Sequence, residues 1–225
     1  MSYSVILIEP ENAGNIGSIA RLMANFGVKD LILVNPSADL KSNECRSFAV
    51  RAYSIIEKAR IVRSFDDLVS EFDFLVGTTA KVKDDPVRAG VGLKQLAGKL
   101  KGLKAKVGLV FGRESSGLTN EELKKCDLVI NIPTSKEYPA LNLSHAVGIV
   151  LYELFSEKSE EVASAAGRKE KQALVNAFSQ AVEGVELRRK EEVVKMFENI
   201  VNRAFVTKKE ASALTGVFRK LSNRT

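Results

Sequence analysis

Residues 107–132 read VGLVFGRESSGLTNEELKKCDLVINI and contain two short aliphatic runs, Val107–Phe111 and Leu128–Ile132. Such runs, without polar alternation, are typical of strands buried on both faces of a parallel sheet. Between them lie a glycine-rich turn and a helical pattern. Thr119 and the glutamates that follow it are typical of a helix start, because acidic side chains favour the positive end of the helix dipole. The segment therefore predicts a strand–loop–helix–strand unit with parallel strands.

The same alternation extends over the first 156 residues. The predicted strands are Ser4–Glu9, Leu31–Asn35, Asp73–Gly77, Val107–Phe111 and Leu128–Ile132. The predicted helices are Ile16–Phe26, Glu44–Lys58, Leu93–Leu100, Asn120–Lys125 and Leu143–Phe155. This order predicts an α/β fold in which a mostly parallel sheet is flanked by helices on both faces.

The composition changes after residue 156. Residues 157–171 are charged, small and weakly apolar, which predicts a linker or an exposed helix. Residues 172–225 have no strand-like run, and their apolar side chains recur at helical spacing. We therefore predict a sheet domain over residues 1–156, a linker over 157–171 and a helical C-terminal extension over 172–225. We expect the extension to pack on the sheet domain or on a second copy of the chain.

Composition excludes several classes of protein. Of the 225 residues, 34 are Lys or Arg and 28 are Asp or Glu, so the net charge of +6 allows an anionic partner without requiring one. Cys45 and Cys126 lie far apart, which excludes a zinc ribbon or a disulfide scaffold, and the single histidine, His145, excludes a His-rich metal site. No apolar run approaches the roughly 20 residues of a membrane span, and the N-terminus lacks signal-peptide features, so we expect a cytoplasmic protein.

The loops that follow the strands are the expected ligand sites, since open α/β sheets bind ligands there. Gly112 and Gly117 have the glycine spacing of a phosphate-binding P-loop, but Leu118 stands where that loop needs lysine. The loop after the first strand is not GxGxxG, and a GxSxG nucleophile elbow is absent. Glycines in any one loop are compatible with a tight turn alone. Four polar or glycine-rich loops, each after a strand, together indicate a ligand-binding site along one edge of the sheet.

Three of these segments resemble the motifs of the SPOUT RNA methyltransferases of the TrmH branch. They are PENAGNIGSIARLMANFG (10–27), LVFGRESSGLTNEEL (109–123) and INIPTSKEYPALNLSHAVGIVLYEL (130–154). The tail FENIVNRAFVTKKEASALTGVFRKL (197–221) is similar to the C-terminal extension of the TrmJ group, which 2′-O-methylates the ribose at position 32 of the tRNA anticodon loop. The resemblance implies a homodimer and a trefoil knot in the C-terminal part of the sheet domain. True knots are otherwise nearly absent from proteins, so periodicity alone does not predict one.

The resemblance also implies where the cofactor and the reaction lie. S-adenosylmethionine (SAM) is expected to be held largely by backbone groups, and no metal is implied. The matching cofactor positions are Thr78, Thr79, Ala80, Gly112, Ile132, Pro139, Ala140 and Leu141. The matching catalytic set is Arg21, Asn15, Glu114, Asn142 and Ser144.

Arg21 is the catalytic residue that the resemblance implies, although a guanidinium normally stays protonated and is a poor base. A protonated Arg21 could instead stabilise developing oxyanion charge or bind a neighbouring phosphate. Helix capping alone would also explain Asn142 or Ser144. His145 is expected to be a packing residue rather than a base.

RNA contact is expected to be electrostatic first, and Lys81, Lys83 and Arg88 are placed to meet phosphates. Basic residues of the tail are equally compatible with a solvated helix face. The predicted function is a SAM-dependent tRNA ribose 2′-O-methyltransferase for nucleotide 32, cytidine and possibly uridine. Two alternatives stay open at this point: the same chemistry on rRNA or another tRNA site, and an RNA-binding protein of this family without catalysis.

Overall fold

The computed structural model describes residues 2–80, 92–101, 105–156, 165–204 and 206–222. Its centre is a six-stranded sheet in which every neighbouring pair of strands is parallel, in the order β3-β2-β1-β5-β4-β6. The strands are β1 (Ser2–Ile8), β2 (Asp30–Val34), β3 (Arg60–Val62), β4 (Phe74–Thr78), β5 (Lys106–Phe111) and β6 (Leu128–Ile130). All five predicted strands are present, and the predicted α/β class is confirmed. The knot stays a prediction.

The helices of the sheet domain are α1 (Ala13–Asn25), α2 (Asn43–Ala49), α3 (Tyr53–Glu57), α4 (Asp66–Val69), α5 (Leu93–Lys101), α6 (Asn120–Lys125) and α7 (Leu143–Ser156). The single helix predicted over Glu44–Lys58 is wrong: a 3-10 turn at Val50–Ala52 divides it into α2 and α3. Val50 has φ of 53°, which a β-branched residue rarely adopts. Apolar periodicity continues across this break and therefore does not reveal it.

Both faces of the sheet are buried, which explains why its strands show no polar alternation. Leu7 and Leu33 pack in the cluster that includes α1 and α7 on one face of the sheet. Ile6 and Ile32 pack in the cluster that includes Phe72 on the other face. Leu7, Ile6 and Leu33 are fully buried. Because the strands are parallel, the carboxyl ends of β1, β4, β5 and β6 meet at one edge, and the loops with the predicted site residues follow there.

The C-terminal extension consists of α8 (Arg168–Ala181), α9 (Lys190–Arg203) and α10 (Lys208–Ser222). Phe178, Phe197 and Phe218 form its aromatic centre, with ring centroids 4.0–5.6 Å apart. Residues 168–171 of the predicted linker are helical, while α7 ends at Ser156, where the sheet domain was expected to end.

The first turn of α8 packs on the sheet domain next to Asp127, the residue that precedes β6. Arg168 Nη2 donates to Asp127 Oδ2 at 2.8 Å, and Lys171 Nζ lies 3.6 Å from Asp127 Oδ1. The Lys171 ammonium also lies 3.6 Å from the centroid of the Phe74 ring. Burial lowers the pKa of this lysine, and the negative charges of Asp127 and, to a smaller extent, Asp73 offset part of that cost. The extension is therefore anchored on the sheet domain, which was one of the two predicted placements.

Candidate active site

Four of the five predicted catalytic residues form one hydrogen-bonded chain. Asn15 Nδ2 donates to Glu114 Oε1 at 3.1 Å, and Asn142 Nδ2 donates to Asn15 Oδ1 at 3.0 Å. Asn142 Oδ1 then accepts from both the backbone N–H and the hydroxyl of Ser144, at 2.9 and 2.7 Å. Each amide has its oxygen and nitrogen committed to different partners, so its orientation is fixed. Three motifs, the first about a hundred residues before the other two, are thus joined side chain to side chain.

Glu114 also ties its loop to the backbone of the loop after β1. Its Oε2 accepts the N–H of Glu11 at 2.9 Å, and its Oε1 accepts the N–H of Asn12 at 3.3 Å. Asn12 in turn caps α1, because its Oδ1 accepts the N–H of Asn15 at 2.8 Å. One carboxylate therefore fixes the loop that leads into α1, the helix that carries Arg21.

The loop that presents Glu114 is a tight turn built around two glycines. Gly117 has φ of 72°, and its N–H donates to the carbonyl of Arg113 at 2.9 Å. A Cβ on Gly112 would lie 2.1 Å from the backbone carbon of Gly117, so only glycine fits there. The close backbone approach explains Gly112 and the positive φ explains Gly117, so both glycines are accounted for without a P-loop.

Arg113 crosses this turn and binds two carboxylates, those of Glu9 and Glu122. Its hydrogen bonds to Glu122 and Glu9 hold the pKa of the guanidinium above its usual range. Burial opposes ionisation of Glu122, but the hydrogen bonds from Arg113 and Thr119 and the charge of Arg113 together outweigh it, so the pKa of that carboxyl falls below its usual range. The hydrogen bond from Arg113 likewise lowers the pKa of Glu9. The turn is therefore stabilised by the ion pairs of Arg113 as well as by backbone hydrogen bonds.

Arg21 lies on α1 beside this network rather than within it. Its side chain is exposed and, within the described part of the chain, makes no hydrogen bond or ion pair. It lines a pocket of about 520 Å³ between α1 and α7, together with Ser144, His145 and Phe48. Ser144 belongs both to the pocket and to the hydrogen-bonded chain, so Arg21 and the network meet at this residue. His145, expected to be a packing residue rather than a base, is exposed and lines this pocket.

Two of the predicted cofactor positions, Thr78 and Thr79, are held to the neighbouring strands by hydrogen bonds. Thr78 Oγ1 donates to the carbonyl of Val110 at 3.1 Å, which joins the end of β4 to the end of β5. The N–H of Thr79 donates to the carbonyl of Ile130 at 3.0 Å, which joins β4 to β6. Ile132 is partly buried, whereas the side chains that face outward are Ala80, Pro139, Ala140 and Leu141.

Asn131 is a contributor to this edge that the sequence did not single out. Its Nδ2 donates to the carbonyl of Thr79 at 2.9 Å, so it holds the loop after β4 against the loop after β6. It lies within the motif segment 130–154, where its position directly before Ile132 is the only signal for this role. The predicted cofactor positions carry no charged side chain and offer backbone groups and small or apolar surfaces. This donor set fits SAM, which has a neutral adenine and a positively charged sulfonium.

Other predicted binding residues lie outside the site that the structure describes. Lys81, Lys83 and Arg88 fall outside the described residues. In the described ranges, no group of three or more His, Cys, Asp or Glu side chains is arranged to hold a metal ion. Among those same residues, no helix is both long and apolar enough to cross a membrane.

Comparison with known proteins identifies the family of this fold and site. The sequence profile of the SpoU rRNA Methylase family matches residues 2–152. The chain belongs to this family. Together with the relatives described next, this match confirms the predicted class, a SPOUT enzyme that methylates RNA at the ribose 2′-oxygen with SAM. The turn of Gly112 and Gly117 and the Glu114 network fall inside the matched range.

Relatives named TrmJ match nearly the whole chain, including the extension. A tRNA (cytidine-2′-O-)-methyltransferase TrmJ from Methanocaldococcus jannaschii is 38% identical over 96% of this chain and 98% of its own length. The protein of the same name from Sulfolobus acidocaldarius is 35% identical over 98% of this chain and 94% of its own. A methylase family protein from Haemophilus influenzae has a solved structure with a TM-score of 0.71 and 30% identity, covering 99% of this chain and 96% of that one. The predicted TrmJ group is confirmed.

Proposed function

We propose that this SpoU-family methylase transfers a methyl group to the ribose 2′-oxygen of nucleotide 32 in the tRNA anticodon loop, with cytidine as the preferred base. The observation that carries the proposal is the chain from Glu114 through Asn15 and Asn142 to Ser144, which ends at the pocket of Arg21. The two full-length relatives, both named for cytidine 2′-O-methylation of tRNA, support the substrate. A protein that modifies tRNA in this way is expected in the cytoplasm.

SAM would be held at the carboxyl edge of β4, β5 and β6, by the loops of Thr78–Ala80, Gly112 and Ile132–Leu141. When bound, it supplies a methyl group activated by the sulfonium. The contacts that join these loops pass between backbone and small polar groups, so the site is shaped before a ligand enters. A preshaped pocket reduces the entropy lost when the reactants are oriented.

Arg21 is proposed to act on the ribose hydroxyl and the adjacent phosphate. A protonated guanidinium stabilises negative charge as it develops on the attacking oxygen, and it grips a phosphate through its fork of N–H groups. Glu114 and Asn15 fix the first turn of α1, so they determine where Arg21 projects. Lys81, Lys83 and Arg88 are proposed to contact phosphates of the RNA backbone next to the target nucleotide. Residues 172–225 are the extension whose resemblance indicates the TrmJ group.

Mass-spectrometric nucleoside mapping tests the proposed substrate. Unmodified tRNA transcripts are incubated with the protein and SAM, and the expected product is 2′-O-methylcytidine at position 32. A transcript with 2′-deoxycytidine at position 32 is the matched control, since it lacks only the accepting oxygen. A transcript with uridine 32 measures base preference. Methylation at another nucleotide, or of rRNA fragments alone, would contradict the proposed site, and no methylation of any RNA would contradict the activity.

We also propose that the protein works as a homodimer through the face formed by Phe48, Ile149, Tyr152 and Phe155, called here the α7 face. These four side chains are 36–61% exposed and lie on α2 and along one stripe of α7. A contiguous exposed apolar surface of this kind marks an interaction site. Phe48 and Ile149 also line the Arg21 pocket, so a second copy seated on this face would supply the missing wall of the pocket.

Replacing Tyr152 with arginine is expected to convert the dimer into a monomer, because a charge buried in an apolar interface is costly. Size-exclusion chromatography with light scattering gives the mass directly. Val217→Arg is the matched control: Val217 is 52% exposed, as Tyr152 is 56% exposed, but it lies on α10. A Tyr152→Arg protein that stays dimeric, or a wild-type protein that is monomeric, would refute this interface.

A further inference from the structure

We propose that Arg113 is a positioning residue for the methyl transfer: it holds the loop of residues 112–118 in the shape that presents Glu114 to Asn15. The inference rests on the proposed function. The hydrogen-bonded chain from Glu114 to Ser144 needs Glu114 at one place, between the backbone after β1 and the side chain of Asn15. The contacts that hold the loop of residues 112–118 therefore determine whether these hydrogen bonds form.

The Arg113 guanidinium is bound on three sides. Its Nη2 and Nη1 donate to the two oxygens of Glu122 at 3.0 and 3.1 Å, which is the paired geometry that favours arginine over lysine. Its Nε donates to Glu9 Oε2 at 2.7 Å, and Nη1 also reaches the carbonyl of Gly117 at 3.3 Å. The Arg113 side chain is only 17% exposed, so these contacts are partly shielded from water.

The partners of Arg113 belong to elements on both sides of the turn. Glu122 lies in the first turn of α6 and accepts the N–H of Thr119 at 2.7 Å, which completes a capping box. Glu9 follows β1 directly and has φ of 44°, a conformation that non-glycine residues adopt rarely and that surrounding contacts must maintain. Arg113 thus joins the exit of β1, the turn after β5 and the start of α6.

Two adjacent cross-links result between the same pair of loops. Arg113 binds Glu9, and the next residue, Glu114, binds the backbone N–H groups of Glu11 and Asn12. If the guanidinium is removed, no cation remains between the carboxylates of Glu9 and Glu122, and the two negative charges repel each other. The exit of β1 and the turn after β5 then separate, and the Glu114 side chain loses its alignment with Asn15.

Steady-state kinetics on Arg113→Met and Arg113→Lys tests this role. Arg113→Met is expected to lower kcat on the order of tenfold at saturating SAM and tRNA, because a small misplacement of reacting groups is costly. The loss should appear in kcat rather than in the KM for tRNA. Arg113→Lys keeps the charge but not the paired hydrogen bonds, so we expect partial recovery. Arg60→Met is the matched control, since Arg60 binds Glu71 at 2.9 Å at the start of β3, away from the site.

A purely structural role would give a different result. It would lower the melting temperature of Arg113→Met while kcat, measured well below that temperature, stayed at the wild-type value, and this outcome would overturn the proposal. A second measurement needs no activity: in ¹⁵N-labelled protein, the side-chain amide signals of Asn15 and Asn142 should shift in Arg113→Met and stay in place in Arg60→Met. Unchanged amide signals would refute the positioning role even if the wild-type protein methylated no RNA, whereas inactive wild-type protein with shifted signals would refute the proposed function alone.

Discussion

An Arg21→Ala protein is expected to lose about 100- to 1,000-fold in kcat while keeping its fold. The magnitude is that of removing one preorganised group from a developing oxyanion. Arg21 makes no hydrogen bond or ion pair with the other described residues, and it is exposed on α1, so its removal breaks no polar contact among them. The loss should therefore appear in single-turnover methylation of tRNA, with an unchanged far-UV circular dichroism spectrum and melting temperature.

Two further variants separate the roles that remain open for Arg21. Arg21→Lys retains a positive charge but not the fork of N–H groups, so recovery of activity would indicate charge stabilisation and its absence would indicate paired contacts. Arg63→Ala removes another exposed arginine, one that follows β3 at the far side of the sheet, and should leave kcat unchanged. If Arg21→Ala retained wild-type kcat, the catalytic assignment would be refuted.

The strands and the main site residues were predictable because their signals are local. An aliphatic run predicts a buried strand, and a parallel sheet brings the loops after its strands to one edge. Asn15, Glu114 and Asn142 were expected together on this ground and through family resemblance, and they are within hydrogen-bond distance. The edge strand β3 was missed because it has three residues and lacks an aliphatic run of the length seen in the others.

What sequence could not predict depends on contacts between distant residues. Arg113 was passed over in the motif because its partner Glu9 is 104 positions away in the chain. The break at Val50 is not predicted because the apolar periodicity continues across it. It follows a helix that packs tightly on α1, where a Cβ on Gly17 would lie 2.4 Å from the carbonyl oxygen of Cys45. The pocket of Arg21 joins three helices, α1, α2 and α7, and such a surface has no periodic signature. The contacts of Arg113 and the pocket of Arg21 are tertiary features that no local pattern encodes.

Glu114→Gln is expected to lower both kcat and stability, although the side chain changes by one atom. The carboxylate accepts three N–H donors, from Glu11, Asn12 and Asn15, and both of its oxygens are used. An amide has only one oxygen, so either orientation turns an NH₂ group toward at least one donor. An unpaired donor in a partly buried site costs about 1–3 kcal/mol.

The effect of Glu114→Gln on catalysis should exceed its effect on folding. Loss of the hydrogen bond to Asn15 releases the side chains of Asn15, Asn142 and Ser144 from their fixed orientation. A displacement of about 1 Å at a reacting group lowers the rate on the order of 100-fold. Single-turnover methylation and urea unfolding measure the two effects separately. Glu121→Gln is the matched control, because this largely exposed carboxylate on α6 pairs with Lys124 instead. Glu114→Gln with wild-type kcat would show that the hydrogen-bonded chain does not position the catalytic groups.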